Sequence, residues 1–194
     1  MTQLEYAKQG IVTDEMKTVA ADEQVSPDDL LRWMADGKVV IPANRNHKSL
    51  HPYGIGKSLR TKINANIGTS ENNTSLEHEL MKLEIIEELK AESIMDLSTA
   101  GDLNEIRQEI IDRSKIMVGT VPIYQVMTEQ FERIEKIDID SILKVIDLHG
   151  QQGVDFITVH CGITREALPL VEKRVIGIVS RGGAFLAAWM KIHG

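Results

Sequence analysis

From residue 61 onward, short apolar runs that are typical of strands alternate with longer amphipathic stretches that are typical of helices. The strand-like runs lie at 61–68, 93–98, 116–122, 155–160 and 175–180, and the later helical stretches lie at 104–113, 125–136, 140–152 and 165–173. Consecutive strands that are separated by helices pair in parallel, because a parallel connection needs a long crossover. The pattern predicts an α/β fold with a parallel sheet made of five strand–helix units.

Two architectures fit such a series: an open doubly wound sheet and part of an eight-stranded barrel. The first predicted strand is not followed by a Gly-x-Gly-x-x-Gly turn, and the chain has no Walker-type Gly-Lys-Ser/Thr loop, so nucleotide-binding folds are disfavoured. We therefore prefer a (β/α)8 TIM-type barrel. Such a barrel needs eight strands and usually about 250 residues. With 194 residues and five strands, we expect an incomplete barrel.

The first 60 residues have a different pattern and predict a helical segment that leads into the barrel. In "SPDDLLRWMADG", Ser26 is expected to cap a helix, Pro27 to occupy its first position and Gly37 to end it. Further on, Thr74 and Glu77 have the spacing of a capping box that opens the first barrel helix. We therefore divide the chain into a helical part at 1–60 and a partial barrel at 61–194.

Composition excludes several classes of function. The net charge of −7 disfavours nucleic-acid binding, and the apolar stretches are too short to cross a membrane. The amino terminus lacks the pattern of an export signal. One cysteine, Cys161, excludes an internal disulfide and a multi-thiolate zinc or iron–sulfur site within this chain. We expect a cytoplasmic protein without membrane or nucleic-acid partners.

Each predicted strand ends in residues that can contact a ligand. These are Asn64 and Asn66, Met95 with Asp96 and Ser98, Thr120 and Tyr124, His160, and Ser180 with Arg181 and Gly182. In parallel α/β folds the carboxyl ends of the strands form the edge where substrates bind. The sequence therefore predicts a rim of hydrogen-bonding groups along one edge of the sheet.

The segment "IVSRGG" at 178–183 has two interpretations. A serine hydroxyl, glycine amides and an arginine can surround a phosphate, and the helix that follows would direct its amino end to the same place. Alternatively, the segment is a tight turn that carries a surface arginine.

The other strand-end residues also leave alternatives open. His160 is either a ligand-binding group or a satisfied structural histidine, and Tyr124 and Met95 either line a ligand ring or pack in the core. Asp96 is either a base or a helix cap. Cys161 is expected to be buried and inert. The remaining five histidines have no metal-ligand spacing, so no metal site is predicted.

Taken in order, six segments resemble the phosphomethylpyrimidine synthase family. They are "IPANRNH", "KINANIG", "IMDLST", "GTVPIYQ", "GVDFITVHCG" and "GIVSRGG", and the resemblance runs through essentially the whole chain. It implies a (β/α)8 barrel and a non-classical radical S-adenosylmethionine enzyme, a lyase of thiamine biosynthesis that converts aminoimidazole ribotide into hydroxymethylpyrimidine phosphate. The ribotide-binding positions of the family fall on Asn66, Met95, Tyr124, His160, Ser180, Arg181 and Gly182. No catalytic residue is assigned.

The departures from the family pattern are equally informative. The resemblance implies a 4Fe-4S cluster, S-adenosylmethionine, zinc and a full-length homodimer, but the family's Cys-x-x-Cys-x4-Cys motif and zinc histidines have no counterpart here. "HCG" stands where "HAG" is commoner. We therefore expect the chain to be the amino-terminal half of a short member, inactive alone.

Three other functions remain as alternatives. The first is hydroxybenzimidazole synthase, which makes a cobalamin lower-ligand precursor. The resemblance implies the same barrel and the same ribotide for this enzyme. A second alternative is a truncated, non-catalytic relic. The weakest is a phosphosugar isomerase or aldolase, because no acid–base pair is evident.

Overall fold

Three short helices open the chain, which a computed structural model describes over residues 1–171 and 173–194, with only the backbone of 130–133. They are α1 (Gln3–Lys8), α2 (Asp14–Asp22) and α3 (Pro27–Ala35). The predicted start of α3 is confirmed, because the Ser26 hydroxyl accepts from the amide of Asp29 at 3.0 Å. Gly37 follows the helix with a φ of 69°, a left-handed conformation that costs glycine little. The three helices share an apolar core that includes Met16, Leu30 and Met34.

Two small strands follow and pair with each other in antiparallel fashion. They are β1 (Val39–Val40), which precedes Pro42, and β2 (Ile55–Gly56). The division of the chain at residue 60 stays a prediction.

The main sheet has four parallel strands in sequential order: β3 (Asn64–Ile67), β4 (Ser93–Asp96), β5 (Met117–Thr120) and β6 (Phe156–Ile157). The intervening helices are α4 (Leu76–Glu88), α5 (Leu103–Arg113), α6 (Pro122–Gln130), which continues as a 3-10 helix at Phe131–Lys136, and α7 (Ile139–Gln152). After β6 come a 3-10 turn (Arg165–Ala167), α8 (Leu168–Val171) and α9 (Arg181–His193). The predicted α/β fold with a parallel sheet is confirmed.

The two faces of this sheet differ in character. Ile67, Ile94 and Val118 are buried in a core that also contains residues of α4 and α5. Side chains alternate between faces along a strand, so Asn64 and Asn66 of β3 lie on the opposite face, where both are exposed. None of the helices in the described ranges is long and apolar enough to cross a membrane.

The predicted strand at 175–180 is wrong. Within the described residues this segment has no strand, and Val175 and Val179 are 102% and 78% exposed. The physical reason is the lack of a sufficient pairing edge: β6 itself pairs through only two residues, Phe156 and Ile157. A strand is held by its neighbour, so an apolar run without one stays irregular.

The predicted cap of α4 is displaced by one residue. The hydroxyl of Ser75 accepts from the amide of His78 at 3.3 Å, so Ser75 and not Thr74 caps the helix. Both residues are good caps, and local sequence alone does not distinguish between neighbours.

Hydrogen bonds among a group of polar residues connect the amino-terminal part of the chain to the sheet. We call Asn44, His47 and Asp155 the amino-edge cluster, because Asp155 precedes β6 directly. The Asp155 carboxylate accepts from His47 Nδ1 at 2.7 Å, the Asn44 amide at 2.8 Å and the Val118 amide at 2.8 Å. His47 Nε2 donates to the carbonyl of Ser114 at 2.9 Å.

Both side chains of the central pair, His47 and Asp155, are fully buried. Burial alone would lower the pKa of His47, but the hydrogen bond and charge of Asp155 outweigh it and raise that pKa above its ordinary value. Both ring nitrogens face acceptors, which is the environment of a protonated imidazole. The cluster therefore holds an ion pair between the lead-in segment and the sheet.

Candidate functional site

At the carboxyl edge, residues near the ends of the strands form a row on one face of the sheet. Asn66, Met95 and Gly119 are in register on one face, and Phe156 continues this row on β6. Gly119 leaves room for a neighbour, since a Cβ there would meet the Phe156 ring at 2.3 Å. The candidate residues Asn66 and Met95 therefore lie on the face opposite α4 and α5.

Tyr124, His160 and Arg181 come together although they lie on different segments. Tyr124 is in the first turn of α6, His160 follows β6, and Arg181 begins α9. The centroids of the Tyr124 and His160 rings are 6.5 Å apart, and the guanidinium carbon of Arg181 lies 5.8 Å from the Tyr124 ring centroid. Met95 packs against the same apolar cluster as Tyr124. Cation–π attraction favours this position of Arg181 in the absence of an anion.

The amino end of α9 supplies the remaining candidates. Ser180 caps the helix, and its hydroxyl accepts from the amide of Gly183 at 3.2 Å. Gly182 lies against the His160 ring, because a Cβ at this position would be 2.3 Å from Cε1 of that ring. A helix of 13 residues directs unpaired amides and the positive end of its dipole to this point. We call Met95, Tyr124, His160, Arg181 and Gly182 the carboxyl-edge pocket.

Packing of α9 holds its amino end in place. Phe185 is buried in the apolar cluster of α6 and α7, with Leu186 and Trp189 packed against it. The indole Nε1 of Trp189 donates to the carbonyl of Ile137 at 2.6 Å. The predicted helix in "AFLAAWMKI" is confirmed and begins earlier, at Arg181.

His160 has an unused polar atom in this pocket. Its Nδ1 is buried and makes no hydrogen bond; among the described side chains the only other such atom is Nε of Arg107. Buried polar atoms are nearly always paired, and an exception at a pocket wall points to a missing partner.

The structure thus brings together five of the seven candidates in the carboxyl-edge pocket. Ser180 caps the helix that carries two of them. Asn66 lies on β3 in register with Met95, and its Oδ1 is 3.5 Å from Nδ2 of Asn64. Cys161, which was predicted to be buried, is exposed, because it lies in an open turn after β6 and not in the strand itself.

Asp96 faces away from the pocket and does not cap α5. Its Oδ1 accepts from the amide of Ser98 at 3.0 Å and from its hydroxyl at 2.6 Å, while α5 is capped by Asp102. Burial raises the pKa of Asp96, although the hydrogen bonds of Ser98 oppose the change. Asp96 therefore closes the turn after β4.

Polar residues beneath the pocket were missed by sequence reasoning. Three of them are Glu79 on α4, Arg107 on α5 and His149 on α7, each at a helix position surrounded by core residues. Glu79 is fully buried, and its carboxylate accepts from the amide of Gly68, just past β3, at 2.6 Å. Their positions could have indicated burial, because each residue lies on the apolar face of its helix, where a polar side chain needs a buried partner.

The described residues do not assemble the metal ligands of the 4Fe-4S cluster and the zinc that the resemblance implies. The chain's one cysteine, Cys161, leaves no three-thiolate site for a 4Fe-4S cluster. In the part of the chain that the structure describes, no group of three or more histidine, cysteine, aspartate or glutamate residues could hold a metal ion such as zinc. No chemical step through either metal centre is therefore derived for these residues.

Comparison with known proteins gives a consistent result. The chain is 50% identical over 195 residues to a phosphomethylpyrimidine synthase of Moorella thermoacetica, covering 98% of this chain and 45% of the relative. It is 51% identical over 198 residues to the synthase of Caldanaerobacter subterraneus subsp. tengcongensis, covering 100% and 46%. A third, from Carboxydothermus hydrogenoformans, is 48% identical over 199 residues, covering 100% and 46%.

The chain thus spans about half the length of the curated relatives that it matches. The model of the radical SAM ThiC family matches residues 2–194. On this match and these identities, the chain belongs to the radical SAM ThiC family.

Proposed function

We propose that this chain binds aminoimidazole ribotide at its carboxyl-edge pocket and forms the substrate-binding part of a phosphomethylpyrimidine synthase. The observation that carries the proposal is the meeting of Tyr124, His160 and Arg181 beside the capped amino end of α9. The three relatives described above bear the name of that synthase, which favours the pyrimidine product over the benzimidazole alternative.

The phosphate belongs at the amino end of α9. The hydroxyl of Ser180 and the free amides of the first turn can donate to phosphate oxygens, and the guanidinium of Arg181 adds charge-assisted bonds. Arg181 is exposed, and its guanidinium lies over the Tyr124 ring, so it can turn to an anion.

The imidazole and ribose belong on the other side of the pocket. Tyr124 and Met95 offer flat and soft walls for the ring. The buried Nδ1 of His160 has a free hydrogen-bonding position, and Asn66 adds an amide on the neighbouring strand. A ligand held at both ends is restricted in orientation, which a radical rearrangement requires to exclude competing products.

The four parallel strands support an incomplete (β/α)8 barrel. Their order is sequential, whereas a doubly wound sheet reverses its order at a switch point. We propose that the remaining strands and the ligands of the 4Fe-4S cluster belong to the other half of a longer protein. A 4Fe-4S cluster and S-adenosylmethionine bound there would supply the radical chemistry, and the residues of this chain would hold the ribotide. The cytoplasmic location and the homodimer stay predictions.

Calorimetric titration of the 194-residue chain with aminoimidazole ribotide tests the proposal. Arg181→Ala is expected to weaken binding by about 2 kcal/mol, or about thirtyfold, because it removes a charge-assisted donor from the phosphate. Arg113→Ala, an exposed arginine at the end of α5, is the matched control and should leave the affinity unchanged. Equal affinities of the wild-type chain and Arg181→Ala would remove Arg181 from the site, and a wild-type chain that binds no ribotide would refute the function.

A further inference from the structure

A buried network of polar side chains lies directly beneath the carboxyl-edge pocket. It consists of Thr120 at the end of β5, Arg107 on α5, Gln125 on α6 and His149 on α7, which we call the buried network. These four residues are only 2–4% exposed. They line a small space between the sheet and the helices, on the face opposite Met95.

Gln125 is the centre of this network. Its Oε1 accepts from Nη2 of Arg107 and, at 2.8 Å, from Nε2 of His149. Its Nε2 donates to Oδ1 of Asn104 at 2.9 Å and to Oε1 of Glu129 at 2.7 Å. A carboxylate such as Glu129 only accepts, so the orientation of the Gln125 amide is determined.

The orientation of His149 follows from that of Gln125. Because Gln125 presents an oxygen, the proton of His149 lies on Nε2, and its Nδ1 accepts from the hydroxyl of Thr120 at 2.8 Å. Burial, with the charge of Arg107 added, lowers the pKa of His149 to about 3, so the ring stays neutral. Burial also lowers the pKa of Arg107 to about 10.

Two residues of the buried network lie at the two ends of the segment 120–125, which carries Tyr124. Thr120 is the last residue of β5, and Gln125 follows Tyr124 in the first turn of α6. Tyr124 contacts the pocket side, with His160 and Arg181, while Gln125 contacts Arg107 and His149 behind it. A movement of residues 120–125 would therefore break hydrogen bonds that have no access to water.

We propose that Thr120, Arg107, Gln125 and His149 are positioning residues, which hold the Tyr124 ring where it forms the wall for the imidazole of the ligand. The inference rests on the proposed function for the identity of the ligand. Its mechanical part, the dependence of the Tyr124 ring on the buried network, stands on the geometry alone. A purely structural network would affect all ligand contacts equally, whereas this one acts first on the Tyr124 ring. Arg181 lies over that ring and should be affected less, because α9 is also held by the Ser180 cap and by the hydrogen bond from Trp189 to Ile137.

The test compares Thr120→Val with Thr120→Ser in the 194-residue chain. Valine has nearly the shape of threonine but leaves Nδ1 of His149 without its donor, whereas serine keeps the hydroxyl. Two ligands are titrated: aminoimidazole ribotide, and ribose 5-phosphate, which has the phosphate and no imidazole. Thr120→Val should weaken ribotide binding about fivefold and ribose 5-phosphate binding by no more than about twofold, and Thr120→Ser should restore the ribotide affinity.

A second measurement does not depend on any ligand. The chain has three tyrosines, and Tyr6 and Tyr53 pack against other apolar clusters than Tyr124, so the ring resonances of selectively ¹³C-labelled tyrosine compare Tyr124 with two internal controls. Thr120→Val should shift or broaden the Tyr124 signal alone, and Thr120→Ser should retain the wild-type signal.

Each outcome decides one part of the account. Equal loss of both ligands in Thr120→Val, or an unchanged Tyr124 signal, would overturn the positioning role. A wild-type chain that binds neither ligand, with a Tyr124 signal that still responds to Thr120→Val, would refute the proposed function and keep the mechanical link.

Discussion

Buried or half-buried histidines lie at both edges of the parallel sheet, but the hydrogen bonding of their ring nitrogens differs. At the amino-edge cluster, both ring nitrogens of His47 and both oxygens of Asp155 are hydrogen-bonded. At the carboxyl-edge pocket, Nδ1 of His160 is buried without a partner. Complete pairing is expected of a group that stabilises the fold, and an open donor or acceptor position is expected of a group that meets a ligand.

The same contrast appears in the charges. His47 and Asp155 form a closed pair between two segments of the chain, with both side chains fully buried. Arg181 lies over the face of an aromatic ring, at the positive end of a helix. One edge has its charges neutralised, and the other keeps a positive potential for an anion.

The largest expected effect comes from breaking the amino-edge cluster. Asp155→Ala leaves His47 and the amides of Asn44 and Val118 without their acceptor, and we expect a loss of about 3 kcal/mol in the free energy of unfolding. Urea denaturation followed by circular dichroism measures it.

Asp147→Ala is the matched control for this change. Asp147 is an exposed aspartate on α7, and its loss should alter stability by no more than about 0.5 kcal/mol. If Asp155→Ala were as stable as this control, the amino-edge cluster would not be what holds the lead-in segment to the sheet.

A smaller effect is expected at the carboxyl-edge pocket, where two adjacent glycines differ in their surroundings. A methyl group on Gly182 would meet the His160 ring at 2.3 Å, whereas one on Gly183 would lie 3.3 Å from Ser180 and 3.4 Å from Ile178. Gly182→Ala should displace His160 and weaken ribotide binding about tenfold. Its stability should change little, because the ring can turn away.

Gly183→Ala provides the comparison at the next residue. It makes no close contact with His160, so ribotide affinity should stay within about twofold of the wild type, with a gain in helix propensity. Titration calorimetry of both variants checks this, and equal affinities of the two would show that His160 is not part of the binding site.

Local sequence signals predicted much of the fold. Ser26, Pro27 and Gly37 define α3 because a cap, a fixed φ and a left-handed stop each act within a few residues. The strand β5 was found because its run is buried on both faces and is apolar almost throughout, whereas β3 and β4 were found from their places in the alternation of strands and helices. The run at 175–180 was misjudged because strand formation depends on a partner edge, which no local pattern records.

The candidate pocket was predicted through the rule that ligands meet the carboxyl ends of parallel strands. Local sequence could not show that Gly182 lies against His160, or that Arg181 lies over Tyr124, because these contacts join segments that are 22 and 57 residues apart. The buried network escaped notice for a related reason. Arginine and histidine are usually found at protein surfaces, and only the positions of Arg107 and His149 on the apolar faces of α5 and α7 indicate burial.

The most direct test of the contrast between the two edges follows the imidazole nitrogens during a ribotide titration. The chain has six histidines, and long-range ¹H–¹⁵N spectra resolve their ring nitrogens. The variants His160→Gln and His47→Gln identify the signals of these two residues. Saturating aminoimidazole ribotide should shift Nδ1 of His160 strongly and leave both nitrogens of His47 unchanged. An unchanged His160, or an equal shift at His47, would contradict the assignment of binding to the carboxyl edge.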